Sequence, residues 1–307
     1  MVFFSSFFQY FKILLAHWWR YQRDQYPLWK ALPLAGAMSY AAVRFPALVT
    51  NREPPSIWVF LVAFILLLLM RLQRCIVEDV SSGYPDQQHL PNRPPPRKLA
   101  TPNELRALFV ACLPVQILLC FFLAEPLLKP LMFVTVYLMI LTIGMGPLRW
   151  NPEKPWPFLI PHRSAAPLML FLAASCEWIP RQETAPLSLI LLLLISFASS
   201  FIHDIGRHFD LSRHHHPDTR SFAPVWGSRR SVLAWWMLVN ATAILAALAS
   251  WRAGTSDHGL FILLSGVIIT GGFAYHYAAK PNQIVDRRFE ILSLIWSVSL
   301  FLSVVHF

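Results

Sequence analysis

Nine apolar runs, each about as long as a bilayer is thick, constrain this chain more than any other feature. A helix rises ~1.5 Å per residue, so about 20 apolar residues are needed to cross ~30 Å of hydrocarbon. The runs lack the alternation typical of barrel strands, and helices are then the only way to pair every backbone polar group in lipid. Nine membrane-spanning helices are predicted: Trp29 to Val49, Ile57 to Val77, Leu105 to Leu123, Leu127 to Met145, Phe158 to Trp178, Pro186 to Ile202, Val232 to Trp251, Gly259 to Tyr275 and Phe289 to Phe307.

Composition supports a membrane protein, since 56% of the residues are hydrophobic and only 14% are charged, against roughly 25% charged in soluble domains. We expect an all-α membrane bundle around a central cavity, built as a single integral membrane domain over residues 1–307. Residues 1–28 are predicted to form an interfacial segment. The fifth run contains Pro161, His162 and Arg163, so the sequence does not fix where this helix begins.

Lysine and arginine are distributed unequally between the two sides of the predicted bundle. The N-terminal segment and the loops after even-numbered spans carry most of them, and the other side carries only Arg52, Lys129, Arg181 and Arg252. By the positive-inside rule, the N-terminus and the even-to-odd loops are predicted to be cytoplasmic. The net charge of +10 is therefore mostly topological, and no nucleic-acid partner is expected.

Two sets of aromatic residues attract different predictions. Interfacial anchoring is predicted for Trp18, Trp19, Trp235 and Trp236, because tryptophan is enriched at the membrane surface. Candidates for lining the cavity and stabilising a carbocation through their ring faces are Phe133, Tyr137 and Trp296.

Carboxylates are concentrated in two predicted cytoplasmic loops, residues 78–103 and 204–230. Six of the 16 acidic residues lie there: Glu78, Asp79, Asp86, Asp204, Asp210 and Asp218. Acidic residues contribute little to membrane orientation, so topology does not explain them. Their position at the ends of hydrophobic helices makes them candidates for a site.

The two acidic loops also resemble each other. From Asp79 a second Asp, a Pro and an Arg follow at offsets 7, 12 and 14, and from Asp204 they follow at offsets 6, 13 and 16. The two leading Asp residues are 125 positions apart, and each follows an even-numbered span. This pattern indicates an internal duplication that faces two acidic clusters across the bundle.

Paired acidic clusters beside basic residues suit a diphosphate held through metal. Mg²⁺ takes a few carboxylates and completes its shell with water and substrate phosphates. The predicted metal-binding and catalytic residues are Asp79, Asp86, Asp204 and Asp210, while Glu78 either joins them or pairs with Arg74 at i−4. Arginine binds phosphate oxygens in pairs, and the cations predicted to bind the diphosphate are Arg93, Arg149, Lys154 and Arg207. His203 either orients Asp204 or caps the helix.

The stretch EDVSSGYPDQQHLPNRPPP, residues 78 to 96, resembles the first signature of the UbiA superfamily of intramembrane prenyltransferases. That signature usually reads Asn-Asp-x-x-Asp-x-x-x-Asp, then Pro-x-Arg-Pro-x-Pro, and the spacing from Asp86 onward is its most specific part. HDIGRHFDLSRHHHPDTRSFAPVWG, residues 203 to 227, resembles the second, Asp-rich signature and its closing element. The resemblance covers nearly the whole chain and implies nine helices, Mg²⁺ and an isoprenyl diphosphate substrate.

The chain departs from the superfamily pattern at three positions. Glu78 stands where Asn is usual, Ser82 replaces the middle Asp, and Arg207 stands where another Asp would be. The site therefore has fewer carboxylates than the resemblance would suggest, enough for one or two Mg²⁺ ions.

Three functions follow as hypotheses. The leading one is a Mg²⁺-dependent prenyltransferase that ionises an isoprenyl diphosphate and passes the allylic cation to a hydrophobic, aromatic acceptor. The alternative is a terpene cyclase of the same fold, in which the prenyl chain's own double bonds capture the cation. A transporter or non-catalytic lipid-binding protein is the third, and it is disfavoured because the charges cluster on one face and not at the midplane.

Overall fold

The computed structural model describes residues 19, 21–23, 26–81, 101–143, 156–207, 228–255, 257–279 and 286–305. Within these ranges the chain forms nine α-helices, and a short 3₁₀ turn, Glu125–Leu127, joins the third to the fourth. The helices are α1 Leu28–Val49, α2 Ile57–Ser81, α3 Pro102–Leu123, α4 Leu128–Ile143, α5 Trp156–Trp178, α6 Leu189–Arg207, α7 Ser228–Ala253, α8 Asp257–Ala279 and α9 Asp286–Ser303.

Eight of these nine helices are long and apolar enough to cross a bilayer. The ninth falls short in its described part because its first turns carry Asp286, Arg287, Arg288 and Glu290. The all-α membrane fold is therefore confirmed, with helices at all nine predicted positions. That α9 crosses the membrane stays a prediction.

Two helices extend further than the sequence predicts. α2 continues to Ser81 and α6 to Arg207, so the loops predicted to start at residues 78 and 204 begin later. Glu78, Asp79 and Asp204 therefore lie on the last helical turns. A carboxylate on a helix is held in a fixed direction relative to its neighbours, which a loop would not guarantee.

α5 runs without a break through the residues that obscured its start. It begins at Trp156 and includes Pro161, His162 and Arg163. A proline removes one backbone donor, and here this happens close to the start of the helix. The Tyr137 hydroxyl of α4 donates a hydrogen bond of 2.8 Å to the Pro161 carbonyl oxygen, which ties this turn to its neighbour.

Helix packing follows a pattern that repeats after four helices. α1 packs on α2, α2 on α3, α3 on α4, α4 on α5, and α2 also on α5. The same pairings recur as α5 with α6, α6 with α7, α7 with α8, α8 with α9, and α6 with α9. α9 packs on α1 and closes the bundle. This recurrence agrees in part with the predicted internal duplication. The contacts of α1 with α5 and of α2 with α4 have no equally extensive counterpart between α5 and α9 or between α6 and α8 in the described ranges, and the evolutionary origin stays a prediction.

One cluster of buried apolar side chains runs through all nine helices, while large apolar side chains also cover the outer surface, as lipid requires. Two of the aromatic predictions are wrong. Trp235 is fully buried and donates to Ser293 Oγ at 2.9 Å, so it is a core residue and not an interfacial anchor. Phe133 faces outward and is 60% exposed, so it does not line a cavity. Trp296, by contrast, is buried, and its indole N–H donates to Thr242 Oγ1 at 3.1 Å.

The bundle has two distinct polar ends. We call the end where α2 and α6 terminate and α5 and α9 begin the site end, and the opposite one the far end. At the far end the buried carboxylate of Glu177 lies 3.0 Å from Arg181 Nη1 and 3.7 Å from Arg52 Nη1, and Arg52 also pairs with Glu183.

Candidate functional site

The last turns of α2 carry two adjacent carboxylates with different partners. Glu78 Oε1 is 3.2 Å from both Nε and Nη2 of Arg74, one helical turn earlier. This is the i−4 pairing that the sequence offers as one of two roles for Glu78; the other, a metal ligand, stays a prediction. Asp79 Oδ2 accepts a hydrogen bond of 2.7 Å from the Tyr21 hydroxyl. One carboxylate is thus held within its own helix and the other by the N-terminal segment.

Tyr21 reaches the site from a segment that was predicted to lie in the membrane interface. Its side chain is buried, with only 2% exposed. Burial raises the pKa of the Tyr21 hydroxyl far above its usual range, and the neighbouring Cys75 and Asp79 raise this pKa further. The phenol therefore stays protonated at physiological pH and donates to Asp79. No motif in the sequence marks Tyr21, because its partner lies 58 positions away.

Asp204, on the last turns of α6, is held by an arginine from α5. Its side chain is 3% exposed and pairs with Nη2 of Arg163. Nη1 of the same guanidinium lies 3.7 Å from Glu78 Oε1. α2 and α6 have no extensive contact with each other, whereas each packs on α5. Arg163 is therefore the side chain that links the two acidic helix ends.

A close approach between α6 and α9 fixes the position of Asp204. A Cβ on Gly206 would lie 2.2 Å from Ser293 Oγ and 3.1 Å from the Phe289 carbonyl oxygen. Ser293 Oγ in turn donates to the Ile202 carbonyl oxygen at 3.3 Å. Small residues allow such backbone approaches in membrane bundles. Gly206 thus places the end of α6, and with it Asp204, against α9.

Several further cations lie at the site end within the predicted spans. Arg71 contacts Met38 Sδ at 3.7 Å, and in the described part of the chain its buried Nε has no hydrogen-bond partner. Nε2 of His203 is also buried and has no hydrogen-bond partner in the described part of the chain. The positive charges of Arg71, Arg74, Arg163 and Lys30 act on this imidazole. Ionisable residues in a membrane span mark functional sites by default. This set of cations suits an oxyanion.

His203 does not cap its helix, because α6 continues to Arg207. That His203 orients Asp204 stays a prediction.

Lys30 pairs with Glu290 at 2.6 Å and joins the start of α1 to the start of α9 at the same end of the bundle.

The carboxylates offer the donor chemistry that Mg²⁺ prefers. Asp79, Asp204 and Glu78 present hard oxygen ligands on helix ends. Within the described ranges, no three or more side chains of His, Cys, Asp or Glu form a ready metal cage.

The structure brings together only part of the predicted site. Glu78 and Asp204 both lie against Arg163, Asp79 follows Glu78 at the end of α2, and Arg207 is the last residue of α6. The remaining predicted residues lie outside the described residues: Asp86, Asp210, Arg93, Arg149 and Lys154. Sequence reasoning missed Tyr21 and Arg163. For Arg163 the signal was an arginine inside an apolar run, which was read as an interruption.

This fold and this site define a class of protein. The chain is a multi-pass α-helical membrane protein in which two acidic helix ends are linked at one side of the bundle. The chain belongs to the UbiA prenyltransferase family, whose model matches residues 35–298. That match begins within α1 and ends within α9.

The fold also resembles a solved structure described as digeranylgeranylglyceryl phosphate synthase in membranes. The TM-score is 0.54 at 16% sequence identity, over 91% of this chain and 97% of the other. At this identity the likeness concerns the fold alone. A comparison with curated protein sequences finds no match.

Proposed function

We propose that this protein is a Mg²⁺-dependent intramembrane prenyltransferase that transfers the prenyl group of an isoprenyl diphosphate to a hydrophobic, aromatic acceptor. The observation that carries the proposal is the position of Arg163, whose guanidinium lies against Asp204 at the end of α6 and against Glu78, the neighbour of Asp79, at the end of α2. Family membership supplies the reaction class, and the digeranylgeranylglyceryl phosphate synthase with a similar fold is compatible with it.

The diphosphate would lie at the site end, between the acidic helix ends. Asp79, Asp86, Asp204 and Asp210 are the proposed ligands of Mg²⁺, while Glu78 would either join them or stay paired with Arg74. The metal would supply positive charge next to the phosphate oxygens, which stabilises the charge that develops on the leaving group. Arg93, Arg149, Lys154 and Arg207 are proposed to bind the diphosphate directly.

The described cations extend this set. Arg71 and Arg74 lie one turn apart on α2 and Arg163 faces them from α5, so an oxyanion between these helices would meet several guanidinium groups. Guanidinium groups remain charged at any relevant pH and bind phosphate in a fixed geometry. Arg74 and Arg163 are only 15% and 13% exposed, which strengthens such contacts because little water competes.

The proposed reaction breaks the bond between the first prenyl carbon and the diphosphate oxygen. Both bonding electrons leave with the diphosphate, and the remaining allylic cation forms a new bond to a nucleophilic carbon of the acceptor, which then loses a proton. The side chains at the site end hold the diphosphate at the membrane surface, so the prenyl chain extends between the helices into the apolar interior. Exclusion of water there protects the cation from premature capture.

Product analysis tests the proposal. Membranes containing the chain are incubated with Mg²⁺ and geranyl, farnesyl or geranylgeranyl diphosphate, with and without aromatic acceptors. We expect a prenylated acceptor that needs both substrates, and its loss in Asp79→Ala and Asp204→Ala. The matched control is Glu183→Gln, which removes a carboxylate charge at the far end and should leave turnover intact.

Other outcomes would contradict the proposal in distinguishable ways. A cyclic product formed without acceptor would identify a terpene cyclase. Unchanged diphosphate-dependent turnover in both Asp variants would contradict the proposed catalytic site. Binding of prenyl diphosphate without any turnover would favour a lipid-binding or transport function.

A further inference from the structure

His162 is a buried histidine to which the proposed function gives no role. It lies on α5 directly before Arg163, and it is only 3% exposed. The charges of Arg163, and of Arg74 and Glu78 on the last turns of α2, act on its imidazole ring. The ring therefore lies at the site end, beside the space in which the diphosphate is proposed to bind.

Two contacts hold the imidazole ring in one orientation. Nδ1 lies 2.8 Å from the carbonyl oxygen of Phe158, one helical turn earlier. A carbonyl oxygen can only accept a hydrogen bond, so Nδ1 carries a hydrogen atom and donates it. The ring also stacks on the Phe158 ring, with centroids 3.9 Å apart and planes inclined by 26°. The position of the ring and its tautomer are thus both set before any substrate binds.

The second ring nitrogen remains as a buried hydrogen-bond acceptor. Nε2 of His162 has no hydrogen-bond partner among the residues that the structure describes. A charged imidazolium would be costly at so little exposure, and a neutral ring with its hydrogen on Nδ1 carries a lone pair on Nε2. Buried polar atoms are almost always paired, so this nitrogen requires a bound group that donates a hydrogen bond.

Of the components of the proposed reaction, the prenyl acceptor is the one that can supply this hydrogen. An ionised diphosphate has only acceptor oxygens, the prenyl chain has no polar hydrogen, and Mg²⁺ prefers oxygen ligands to imidazole. An aromatic acceptor with a hydroxyl group has both an O–H to donate and a ring carbon to be prenylated. A water molecule could also donate, but turnover would then not depend on a hydroxyl of the acceptor.

We propose that His162 recognises the acceptor substrate, and that the hydroxyl of a phenolic acceptor donates a hydrogen bond to Nε2 and so places the aromatic ring beside the diphosphate site. His162 is then a specificity-determining residue. A site built to hydrogen-bond a substrate hydroxyl rejects analogues without it, because its own buried polar atom is left unpaired. The inference rests on the proposed function, because it names the class of acceptor used in that reaction.

Pairs of acceptors test this assignment. Membranes containing the full-length chain are incubated with Mg²⁺ and geranyl, farnesyl or geranylgeranyl diphosphate. The acceptors are 1-naphthol with its methyl ether 1-methoxynaphthalene, and 4-propylphenol with its methyl ether 4-propylanisole. Each ether keeps an electron-rich ring but has no hydrogen to donate. We expect kcat/KM for each phenol to exceed that for its ether by about a hundredfold or more.

Two substitutions of His162 separate recognition from folding. His162→Asn retains an N–H near the position of Nδ1, which can still donate to Phe158, but it removes the acceptor at Nε2. His162→Gln places an amide oxygen near the position of Nε2 but loses the bond to Phe158. The preference for the phenol should fall below about tenfold in His162→Asn and persist in His162→Gln, whereas a purely structural role would make His162→Asn the milder change. His276→Asn, at an exposed position of α8, is the control and should keep the full preference.

Equal turnover of phenols and ethers by the wild-type chain would overturn the inference, and this result needs no variant to fold. A His162→Asn chain that is folded by its melting temperature and keeps the full preference would overturn it as well. Both results leave the proposed function standing, because prenylated product forms in each. Absence of prenylated product from all four acceptors would instead contradict the proposed function.

Discussion

The ends of α2 and α6 carry comparable carboxylates but are assembled in different ways. At the end of α2, Glu78 pairs with Arg74 of the same helix and Asp79 with a tyrosine from the preceding segment. At the end of α6, Asp204 is more deeply buried and is paired with Arg163 of another helix.

This difference shows which contacts fix the positions of the carboxylates in the site. A pair at i,i+4 forms wherever the helix forms, and it contributes little. A pair between helices exists only when both helices are placed correctly, and here Gly206 and Ser293 set that placement. The Glu78–Arg74 pair thus depends mainly on local sequence, whereas the contacts of Asp204 with Arg163 and of Asp79 with Tyr21 depend on the tertiary structure.

The largest expected effect comes from neutralising each Asp in turn. Asp204→Asn leaves the Arg163 charge buried with only the more distant Glu78, so the free energy of unfolding should fall by about 3 kcal/mol. Asp79→Asn keeps an acceptor oxygen for the Tyr21 hydroxyl but removes the charge that strengthens this hydrogen bond, and should cost about 1 kcal/mol. Each variant should lose prenyl transfer by about a hundredfold or more. Denaturant titration and product assays measure both quantities, and equal losses of stability would contradict the contrast drawn between the two ends.

The second effect tests the placement of α6. Gly206→Ala inserts a methyl group against Ser293 and should destabilise the fold by about 1–3 kcal/mol, with a loss of activity because Asp204 moves. Gly272→Ala is the matched control, since a Cβ there has no atom within 4 Å. This control should be neutral or stabilising by up to about 1 kcal/mol. Melting temperatures of both variants provide the measurement; a tolerated Gly206→Ala would show that α6 and α9 separate easily.

A smaller effect is expected from the tyrosine at the α2 end. Tyr21→Phe removes one hydrogen bond, worth about 1 kcal/mol, and should change the Mg²⁺ concentration needed for half-maximal activity by about fivefold or less. Tyr137→Phe also removes one tyrosine hydrogen bond, here to a backbone carbonyl. It should alter stability to a similar extent without changing the Mg²⁺ requirement. Identical Mg²⁺ curves for all three proteins would exclude a role for Tyr21 in holding Asp79.

The smallest effect belongs to the local pair. Glu78→Gln breaks an i,i+4 contact whose carboxylate is about one-third exposed, so the free energy of unfolding should change by at most about 0.5 kcal/mol. Prenyl transfer should fall only a few-fold, because Asp79 and Asp204 remain. A loss of activity as large as that of Asp79→Asn would make Glu78 a metal ligand instead of a partner of Arg74.

Much of the fold was accessible from the sequence because lipid imposes strong local rules. Each helix needs about 20 apolar residues, so hydropathy alone located all nine, and the positions of Asp79 and Asp204 after even-numbered helices located the site end. Trp235 is an exception to these rules. A tryptophan near a helix end is predicted to anchor the helix at the membrane surface, but the indole of Trp235 lies in the core against Ser293, a residue 58 positions away.

The sequence by itself determined the helices, the acidic signatures and the family that they resemble, because hydrophobic length and short-range spacing are local properties. Only the tertiary structure decided that Arg163 joins Asp204 to Glu78 and that Tyr21 holds Asp79. Arg163 and Asp204 are 41 positions apart in the sequence, and Tyr21 and Asp79 are 58 positions apart. Partners that far apart meet only through the packing of whole helices, and no local pattern in the chain encodes that packing.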